Sequence, residues 1–476
     1  MSTGSMDPRA RPRALVRGGA VMCLDTQAQV FSPGFVAVEA GRIAGVGPME
    51  QCPAGADTVI DARDCLVLPG FVNSHTHLVQ SLIRGLGDEM PPGAWLGQIV
   101  FPLSRFQTRE RAYHGARLSL LELTRSGVTT TADCHFTNVH GDALDGVLQA
   151  LRESRVRGVV ARGSMDSEAV PAYAREDTAA ALREVDRVRA AWESDAIRIT
   201  LEPLGPHRCS ERMLRAFHDY ARRTGARMHL HLASSQAEAD WARATHGCGA
   251  AEYVDRLGLL DDRVLAAHCV HLTDAEVTLL AQRGVPVSHN PASNAILGYG
   301  IFPLARFLAA GGLVGLGVDG AGSNNGQNMF ESMKLSMLFQ KALLRDPMVG
   351  SAALALELAT RASARALEVD AVAGSLEVGK GADLIVVPVR QPHLAPFEGL
   401  VSNLVYAGTA TRVGTVMIRG EIVLRDGRHA LWDEEEVIEE AQRAQQDMIA
   451  EARAAGVATP WAADSTRIGS VDPGRR

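Results

Sequence analysis

The first and last parts of the chain alternate short apolar, β-rich runs with turn residues. Such runs occupy 14–24, 35–40, 43–46 and 58–60, and a matching set occupies 384–387, 415–418 and 421–424. Runs of this length, bounded by glycine and polar turns, are typical of short strands. We therefore predict a small antiparallel sheet in the N-terminal part and a composite β-domain built from both ends of the chain.

The centre of the chain follows a different pattern, in which β-rich runs alternate with stretches of helical periodicity. Strands are predicted over 127–133, 157–161, 197–203, 227–232, 264–267, 285–288 and 313–318, and helices over 109–125, 178–194, 210–224, 237–244, 274–283, 303–310 and 330–344. Repeated β-then-α units form parallel sheets, and about 300 residues suits an eightfold barrel with insertions. The predicted fold class is α/β: a distorted (β/α)8 TIM barrel with a composite β-sandwich domain built from N- and C-terminal segments.

These patterns divide the chain into four predicted parts. Residues 1–13 are a flexible leader, 14–68 and 375–430 form the β-sandwich domain, 69–374 form the barrel, and 431–476 form a C-terminal helix and tail. The helix is charged and alanine-rich without a breaker, which is typical of an amphipathic helix that packs on the surface or on a partner.

Composition narrows the class of partner. The 476 residues carry 48 Lys and Arg against 55 Asp and Glu, a net charge of −7 without long like-charge runs, so nothing indicates a nucleic-acid or membrane partner. No apolar run reaches about 18 residues, the length of a membrane-spanning helix. The seven cysteines form no Cys-x-x-Cys motif, which fits reduced thiols better than disulfides. We predict a cytoplasmic protein that binds a small-molecule substrate.

The candidate chemistry begins where an apolar run over 66–72 leads into Asn73, Ser74, His75, Thr76 and His77. In an extended strand, residues i and i+2 point to the same side, so His75 and His77 can share one cation. Neutral imidazole is the commonest metal ligand, and zinc accepts it readily. Because an isolated His-x-His triplet is usually accidental, the interpretation depends on later segments.

Three later strand ends supply matching side chains. A second His-x-His offers His229 and His231, of which His231, nearer the carboxyl end, is the preferred ligand and His229 is interpreted as a core histidine. His268 follows the next strand, where it can act as acid or base or hold the attacking water. Asp319 follows a further strand; an aspartate there usually serves turn chemistry, but here it can bind a metal and accept a proton.

Together the four strand ends offer His75, His77, His231, His268 and Asp319. Three imidazoles and a carboxylate can bind one metal ion and leave one position open for water. That set matches a catalytic rather than a closed structural metal site. A zinc-type ion lowers the pKa of its bound water from about 15.7 to roughly 7, which supplies hydroxide near neutral pH. The predicted chemistry is hydrolysis at an electrophilic carbon.

The ordered motifs resemble the amidohydrolase superfamily, and more narrowly its branch of triazine hydrolases, guanine-type deaminases and S-adenosylhomocysteine deaminase. The resemblance covers nearly the whole chain and rests on 75–77, 231, 268–271, 288–294, 319–320 and the closing segment 374–384. It implies that His75, His77, His231 and Asp319 bind one divalent metal ion, Zn2+ first, with Fe2+ or Co2+ as alternatives. It also implies that Asp319 and His268 activate and orient the water, and that the protein forms a homodimer or higher homo-oligomer.

The same resemblance points to two substrate contacts. His207 falls where the family often places a substrate-contacting histidine, with stabilisation of its own loop as the alternative. Trp95 belongs to a loop that resembles the family's substrate-covering loop, and it is a candidate pocket wall, with surface packing as the alternative.

One position departs from the family pattern. In the deaminase branch a glutamate follows the metal histidine by three residues and passes a proton to the ring nitrogen, whereas Ser234 stands there in this chain. A serine hydroxyl cannot act as a carboxylic acid near neutral pH. Glu238 either reaches back to substitute or is a solvated helix residue, and Ser234 is kept as a substrate-binding candidate.

Three functions therefore remain open. The first is a mononuclear metal-dependent amidohydrolase of the deaminase or aminohydrolase type, which cleaves a non-peptide carbon–nitrogen bond of a nitrogen-rich heterocycle. Ser234 favours the second, hydrolysis of aryl urea, carbamate or thiocarbamate bonds, because a metal can polarise their carbonyl directly. The third is a non-catalytic binding relative, which would be marked by lost metal ligands; all of them are present here.

Overall fold

The computed structural model describes residues 14–458, so the predicted leader over 1–13 and the last part of the predicted tail, 459–476, lie outside the described residues. The strands are β1 (Ala14–Met22), β2 (Val30–Glu39), β3 (Arg42–Pro48), β4 (Thr58–Asp61), β5 (Cys65–Pro69), β6 (Phe71–Thr76), β7 (Val128–His135), β8 (Arg157–Ser164), β9 (Ile197–Pro203), β10 (Met228–Leu232), β11 (Val264–His268), β12 (Val287–His289), β13 (Val314–Leu316), β14 (Leu384–Pro388), β15 (Thr415–Ile418), β16 (Glu421–Arg425) and β17 (Arg428–His429). The helices are α1 (Pro92–Trp95), α2 (Phe101–Ser104), α3 (Arg109–Arg125), α4 (Ala143–Ser154), α5 (Thr178–Trp192), α6 (Glu211–Thr224), α7 (Gln236–His246), α8 (Ala250–Arg256), α9 (Asp274–Gln282), α10 (Pro291–Ile296), α11 (Leu304–Ala309), α12 (Ala321–Asn324), α13 (Met329–Leu344), α14 (Ala352–Glu357), α15 (Ser363–Ala366), α16 (Leu400–Tyr406) and α17 (Glu434–Ala454).

Eight parallel strands, β6 to β13, form the predicted barrel, and each pairs with the next along the chain. The first and last strands meet where the barrel closes. There the Val318 N–H donates to Oδ1 of Asn73 (3.0 Å), and the Asp319 N–H donates to the His75 carbonyl (2.9 Å). The closure therefore brings the two ends of the predicted metal set together, and the predicted fold class is confirmed.

The second sheet combines both ends of the described chain. It has nine strands in the order β17-β16-β15-β14-β5-β1-β2-β3, with β4 also paired to β1. The N- and C-terminal parts join where β5 and β14 pair antiparallel. The predicted antiparallel pairing of the N-terminal sheet holds for β1, β2 and β3 but is wrong for β4 and β5, which run parallel to β1. Residue alternation marks a strand but carries no information on the direction of its neighbour.

The apolar run that leads to the first histidines belongs to two different sheets. β5 ends at Pro69 and β6 begins at Phe71, so Gly70 is the only residue between the composite sheet and the barrel. A Cβ at Gly70 would lie 2.2 Å from Cγ2 of Thr129, an approach that only glycine permits. This close junction fixes where β6 enters the barrel and hence where His75 lies.

The main apolar core lies between the barrel strands and the surrounding helices, with Phe71, Phe217 and Phe302 fully buried in it. The terminal helix α17 lies within the segment 431–476 and packs on the protein's own helix α3. Ion pairs join the two helices, with Arg117 2.6 Å from Glu440. Within residues 14–458, no helix is long and apolar enough to cross a membrane.

Candidate metal centre

The four side chains predicted to bind the metal and His268, predicted to act on the water, lie together at the carboxyl ends of barrel strands, where barrel active sites form. His75 lies in β6 with His77 directly after it, His231 lies in β10, His268 ends β11, and Asp319 follows β13. Ligand atoms of His75, His77 and His231 lie within 4.8 Å of one another, and so do those of His75, His268 and Asp319. The structure thus brings all five side chains to one place.

The spacing around Asp319 suits a small cation. Its Oδ1 atom lies 3.5 Å from Nε2 of His75 and 3.4 Å from Nε2 of His77. Zinc bonds of about 2.0–2.2 Å hold neighbouring ligands of a tetrahedron about 3.4 Å apart. The other carboxylate oxygen, Oδ2, lies 3.8 Å from Nε2 of His268, so Asp319 faces both the candidate ligand imidazoles and His268.

The chemical state of these side chains also fits a divalent metal. Nε2 of His75 is buried without a hydrogen-bond partner among the described residues, a costly state unless another group binds it. Burial lowers the pKa of His77 to about 4, and burial followed by the charge of His75 lowers the pKa of His231 well below its usual value. Burial alone would raise the pKa of Asp319, but His75 and His268 lower it below its ordinary range. Neutral imidazoles and a charged carboxylate are the forms that bind zinc.

Two of the candidate ligand imidazoles contact neutral groups through the ring nitrogen that faces away from the site. Nδ1 of His75 lies 3.1 Å from Nε2 of His229, and Nδ1 of His77 lies 2.5 Å from the Cys134 carbonyl. The interpretation of His229 as a core histidine therefore needs one addition, because His229 orients His75. Such contacts fix which ring nitrogen is free to bind a metal.

The segment 288–294, part of the family resemblance, supplies contacts on the other side of the site. Ser293 donates to Oδ2 of Asp319 (2.6 Å), and Oδ1 of Asn294 lies 2.8 Å from Nδ1 of His268. Both residues belong to the short helix α10. The sequence motif thus marks residues that orient the two groups predicted to handle the water.

The backbone turns sharply where the strands deliver these groups. His268 and Asp319 have φ values of 72° and 61°, in the left-handed region that costs non-glycine residues about 1–3 kcal/mol. Hydrogen bonds offset part of this strain, including one from the Asp319 N–H to the His75 carbonyl. Strained backbone at the carboxyl ends of two barrel strands is typical of a functional site.

A small inner pocket at the metal centre leads into a wide vestibule. Both are lined by Leu96, Arg208, Leu297 and Tyr299. The vestibule is a cavity of about 720 Å³, within the range of small-molecule sites. The site therefore has room for a ligand much larger than a bare heterocycle.

The two residues suggested as substrate contacts line the inner pocket and the vestibule. Trp95, at the end of α1, is 5% exposed and lines the inner pocket, a position that does not fit surface packing. His207 lines the vestibule, with Nδ1 4.0 Å from Oε1 of Glu238. Contact of either residue with a substrate stays a prediction.

Ser234 lies next to the site without lining the inner pocket or the vestibule. Its Oγ is buried and has no hydrogen-bond partner within residues 14–458. Glu238, at the start of α7, accepts hydrogen bonds from the N–H groups of Ala233 (2.9 Å) and Ser234 (3.0 Å). The interpretation of Glu238 as a solvated residue is wrong, since the residue is only 2% exposed. Burial raises the pKa of Glu238 to about 6, although its two hydrogen bonds act to lower that pKa.

Arg208 was missed in the sequence because a lone arginine in the loop after β9 matches no motif. It is the cationic residue that lines both the inner pocket and the vestibule. Within the described part of the chain, its guanidinium has no hydrogen bond or ion pair. Its place directly after His207 was the one available signal.

Comparison with known proteins places the chain in a family. The model of the amidohydrolase family matches residues 66–423. The 5-methylthioadenosine/S-adenosylhomocysteine deaminase of Desulforudis audaxviator is 39% identical over 418 residues, which are 87% of this chain and 95% of the relative. The 5'-deoxyadenosine deaminase of Methanothermobacter thermautotrophicus is 38% identical, over 86% of this chain and 94% of the relative.

Two solved structures share the fold of this chain. A zinc-bound adenosine deaminase from Xanthomonas campestris has a TM-score of 0.85 and 28% identity, covering 92% of this chain and 98% of its own. A zinc complex of atrazine chlorohydrolase from Arthrobacter aurescens has a TM-score of 0.84 at 24% identity, covering 91% of this chain and all of its own, and it supports the fold alone.

The chain belongs to the amidohydrolase family. The suspected branch of the family and the predicted enzyme class, a metal-dependent hydrolase of carbon–nitrogen bonds other than peptide bonds, are confirmed.

Proposed function

We propose that the protein is a deaminase that replaces the exocyclic amino group of an adenine nucleoside with oxygen and releases ammonia. The observation that carries this proposal is the convergence of His75, His77, His231 and Asp319 at the barrel mouth. The relatives at 38–39% identity are named for three substrates that share an adenine ring on a 5'-modified ribose. The vestibule outside the metal centre offers space for such a 5' group.

We propose Zn2+ as the single metal ion, held by His75, His77, His231 and Asp319. Nitrogen and oxygen donors at this spacing suit zinc. The zinc in the Xanthomonas campestris adenosine deaminase supports the same choice. When bound, the ion would lower the pKa of a water molecule to about 7 and so supply hydroxide near neutral pH.

Asp319 accepts a proton from the attacking water, and His268 orients that water. Asp319 is charged and can accept a proton from the water while Ser293 holds its Oδ2 atom. Burial lowers the pKa of His268 to about 4, so its ring is neutral at neutral pH. With its Nδ1–H directed at Oδ1 of Asn294, the ring keeps a lone pair on Nε2 to orient the water. The proton held by Asp319 is then available to the departing ammonia.

The alternative of urea, carbamate or thiocarbamate hydrolysis is not favoured. It relied on Ser234 in place of the family glutamate, yet relatives of high identity over nearly the whole chain bear deaminase names. The third alternative, a binding relative without catalysis, does not agree with the complete ligand set.

We also propose that the protein works in the cytoplasm as a homodimer or larger homo-oligomer. Its seven cysteines are all free thiols, as a reducing compartment would keep them. The oligomer rests on family resemblance, and light scattering after size-exclusion chromatography tests it.

An activity screen with zinc-loaded protein tests the proposed reaction. Adenosine, 5'-deoxyadenosine, 5'-methylthioadenosine and S-adenosylhomocysteine would be scored by ammonia release and by the absorbance change of the ring. Aryl ureas and carbamates would be scored by release of aniline or phenol. We expect ammonia from at least one nucleoside, none from Asp319→Asn, and loss of activity with a chelator that added zinc reverses. Aniline release without ammonia release would overturn the proposal.

A further inference from the structure

A buried glutamate lies behind one of the proposed ligands. Glu202 is in β9, next to the strand that carries His231, and its side chain is fully buried. Its Oε1 atom lies 2.8 Å from Nδ1 of His231. Neither residue was connected to the other by any sequence motif.

The carboxyl group of Glu202 and Nδ1 of His231 each lack a hydrogen-bond partner that the other could supply. Neither carboxylate oxygen of Glu202 has a well-aligned hydrogen bond to any described residue, and the same is true of Nδ1 of His231. Their 2.8 Å contact is therefore close in distance but is not aligned as a hydrogen bond. A buried carboxyl group without a partner is destabilising. An imidazole N–H directed at the carboxylate would relieve both groups.

We propose that Glu202 is a positioning residue that holds His231 in the tautomer and orientation needed to bind the metal ion. This rests on the proposed metal centre. Because Nδ1 of His231 faces Glu202, its Nε2 atom faces the other proposed ligands. A proton on Nδ1 leaves the lone pair of Nε2 free to bind the metal ion. A carboxylate behind a ligand histidine also raises the basicity of the ring, which strengthens its bond to the metal.

Glu202 acts through His231 and not on the metal or substrate. It does not belong to any of the groups of described side chains whose ligand atoms come close enough to share an ion. It also does not line the inner pocket. The groups behind His75 and His77 are an imidazole and a carbonyl, so Glu202 supplies the carboxylate among these three supporting contacts.

Zinc release from the loaded protein tests this role without any substrate. Glu202→Leu removes the acceptor at similar volume, and Glu202→Gln keeps an oxygen but removes the charge. We expect zinc transfer to an excess of a coloured chelator to become about 10–100-fold faster, with the larger effect in Glu202→Leu. The zinc affinity per folded molecule should fall by a similar factor.

A matched control separates positioning from general stability. Glu276 is another buried glutamate, which accepts hydrogen bonds from the Ala251 and Thr273 N–H groups away from the metal ligands. We expect Glu276→Gln to lower the midpoint of unfolding and to leave zinc release unchanged. If Glu202→Leu does not fold, the isosteric Glu202→Gln still decides the question.

Wild-type rates of zinc release in the folded Glu202 variants would overturn the proposal, even if their unfolding midpoints changed. A wild-type protein that holds no zinc would overturn both this role and the proposed metal centre. Normal zinc retention without ammonia release from any nucleoside would affect the proposed substrate alone.

Discussion

The side chains of Glu238 and Ser234 lie close together at one short turn but make different contacts. The carboxylate binds the N–H groups of Ala233 and Ser234 and so caps the turn between β10 and α7. The Ser234 hydroxyl, by contrast, is buried without a partner in the described chain and lies outside the two pockets. Glu238 therefore shapes this turn and also lines the vestibule, whereas Ser234 has no evident catalytic contact.

We expect Ser234→Ala to lower kcat/KM by less than about a hundredfold, because a general acid or base in the transition state contributes about a hundredfold or more. Steady-state ammonia release with the best nucleoside substrate measures this. Ser234→Thr, which keeps the hydroxyl, is the control. Complete loss in Ser234→Ala with normal zinc content would show that Ser234 is itself an essential relay.

Arg208 offers a free guanidinium to whatever enters the vestibule. A charged hydrogen bond is worth about 1.5–3 kcal/mol, so Arg208→Ala should raise KM about 10–100-fold if Arg208 binds an acceptor on the substrate. We expect kcat to change much less. Arg208→Lys keeps the charge without the planar fork and should recover part of the loss. An unchanged KM in Arg208→Ala would contradict this role.

At the scale of elements, the contact between β17 and α17 depends on a buried histidine. Nδ1 of His429 accepts hydrogen bonds from the N–H groups of Leu431 (3.3 Å) and Trp432 (3.0 Å), and its ring stacks on Trp432. These bonds shape the turn from which α17 starts. The helix then packs along α3, so the turn fixes how the C-terminal element meets the barrel.

Because of this turn, we expect the free energy of unfolding to decrease as the pH is lowered. Burial lowers the pKa of His429 to about 4, while an unfolded chain has a histidine pKa of about 6.5. Between these values the unfolded state binds more protons, so the free energy of unfolding decreases as pH falls, by up to about 3 kcal/mol once pH is below 4. His429→Asn keeps an acceptor but does not titrate. Urea unfolding from pH 7 to 4 should show the wild type losing more stability than the variant, and parallel curves would contradict the assignment.

At the scale of the whole molecule, one residue joins the composite sheet to the barrel. Gly70 separates β5 from β6, and its N–H donates to the Asp383 carbonyl at 3.0 Å. Asp383 directly precedes β14, so the junction ties the N-terminal part, the C-terminal part and the first barrel strand together. The position of β6, and with it the position of the proposed metal ligands His75 and His77, depends on this junction.

We expect Gly70→Ala to destabilise the protein by about 1–3 kcal/mol, the usual cost of overpacking, because the new Cβ would lie 2.2 Å from Thr129. Gly55→Ala is the control, since a Cβ there meets no atom within 4 Å. Urea unfolding of both variants measures the difference. Equal stabilities would show that β6 shifts freely against the composite sheet.

The sequence by itself determined the family, the barrel and the candidate metal set. His75, His77, His231, His268 and Asp319 could be found because strand periodicity and the βα order place them all at carboxyl strand ends, a local rule that needs no coordinates. The resemblance carried by the same motifs supplied the branch.

Only the tertiary structure decided what surrounds that set. Glu202 meets His231 across neighbouring strands, and β1 pairs in parallel with β4 and β5, because pairing between distant segments is not encoded in the spacing of either. The burial of Glu238 and the unpaired state of Arg208 likewise depend on which loops close over the barrel mouth. Local chemistry therefore follows from the sequence, whereas the contacts that tune it follow from long-range packing.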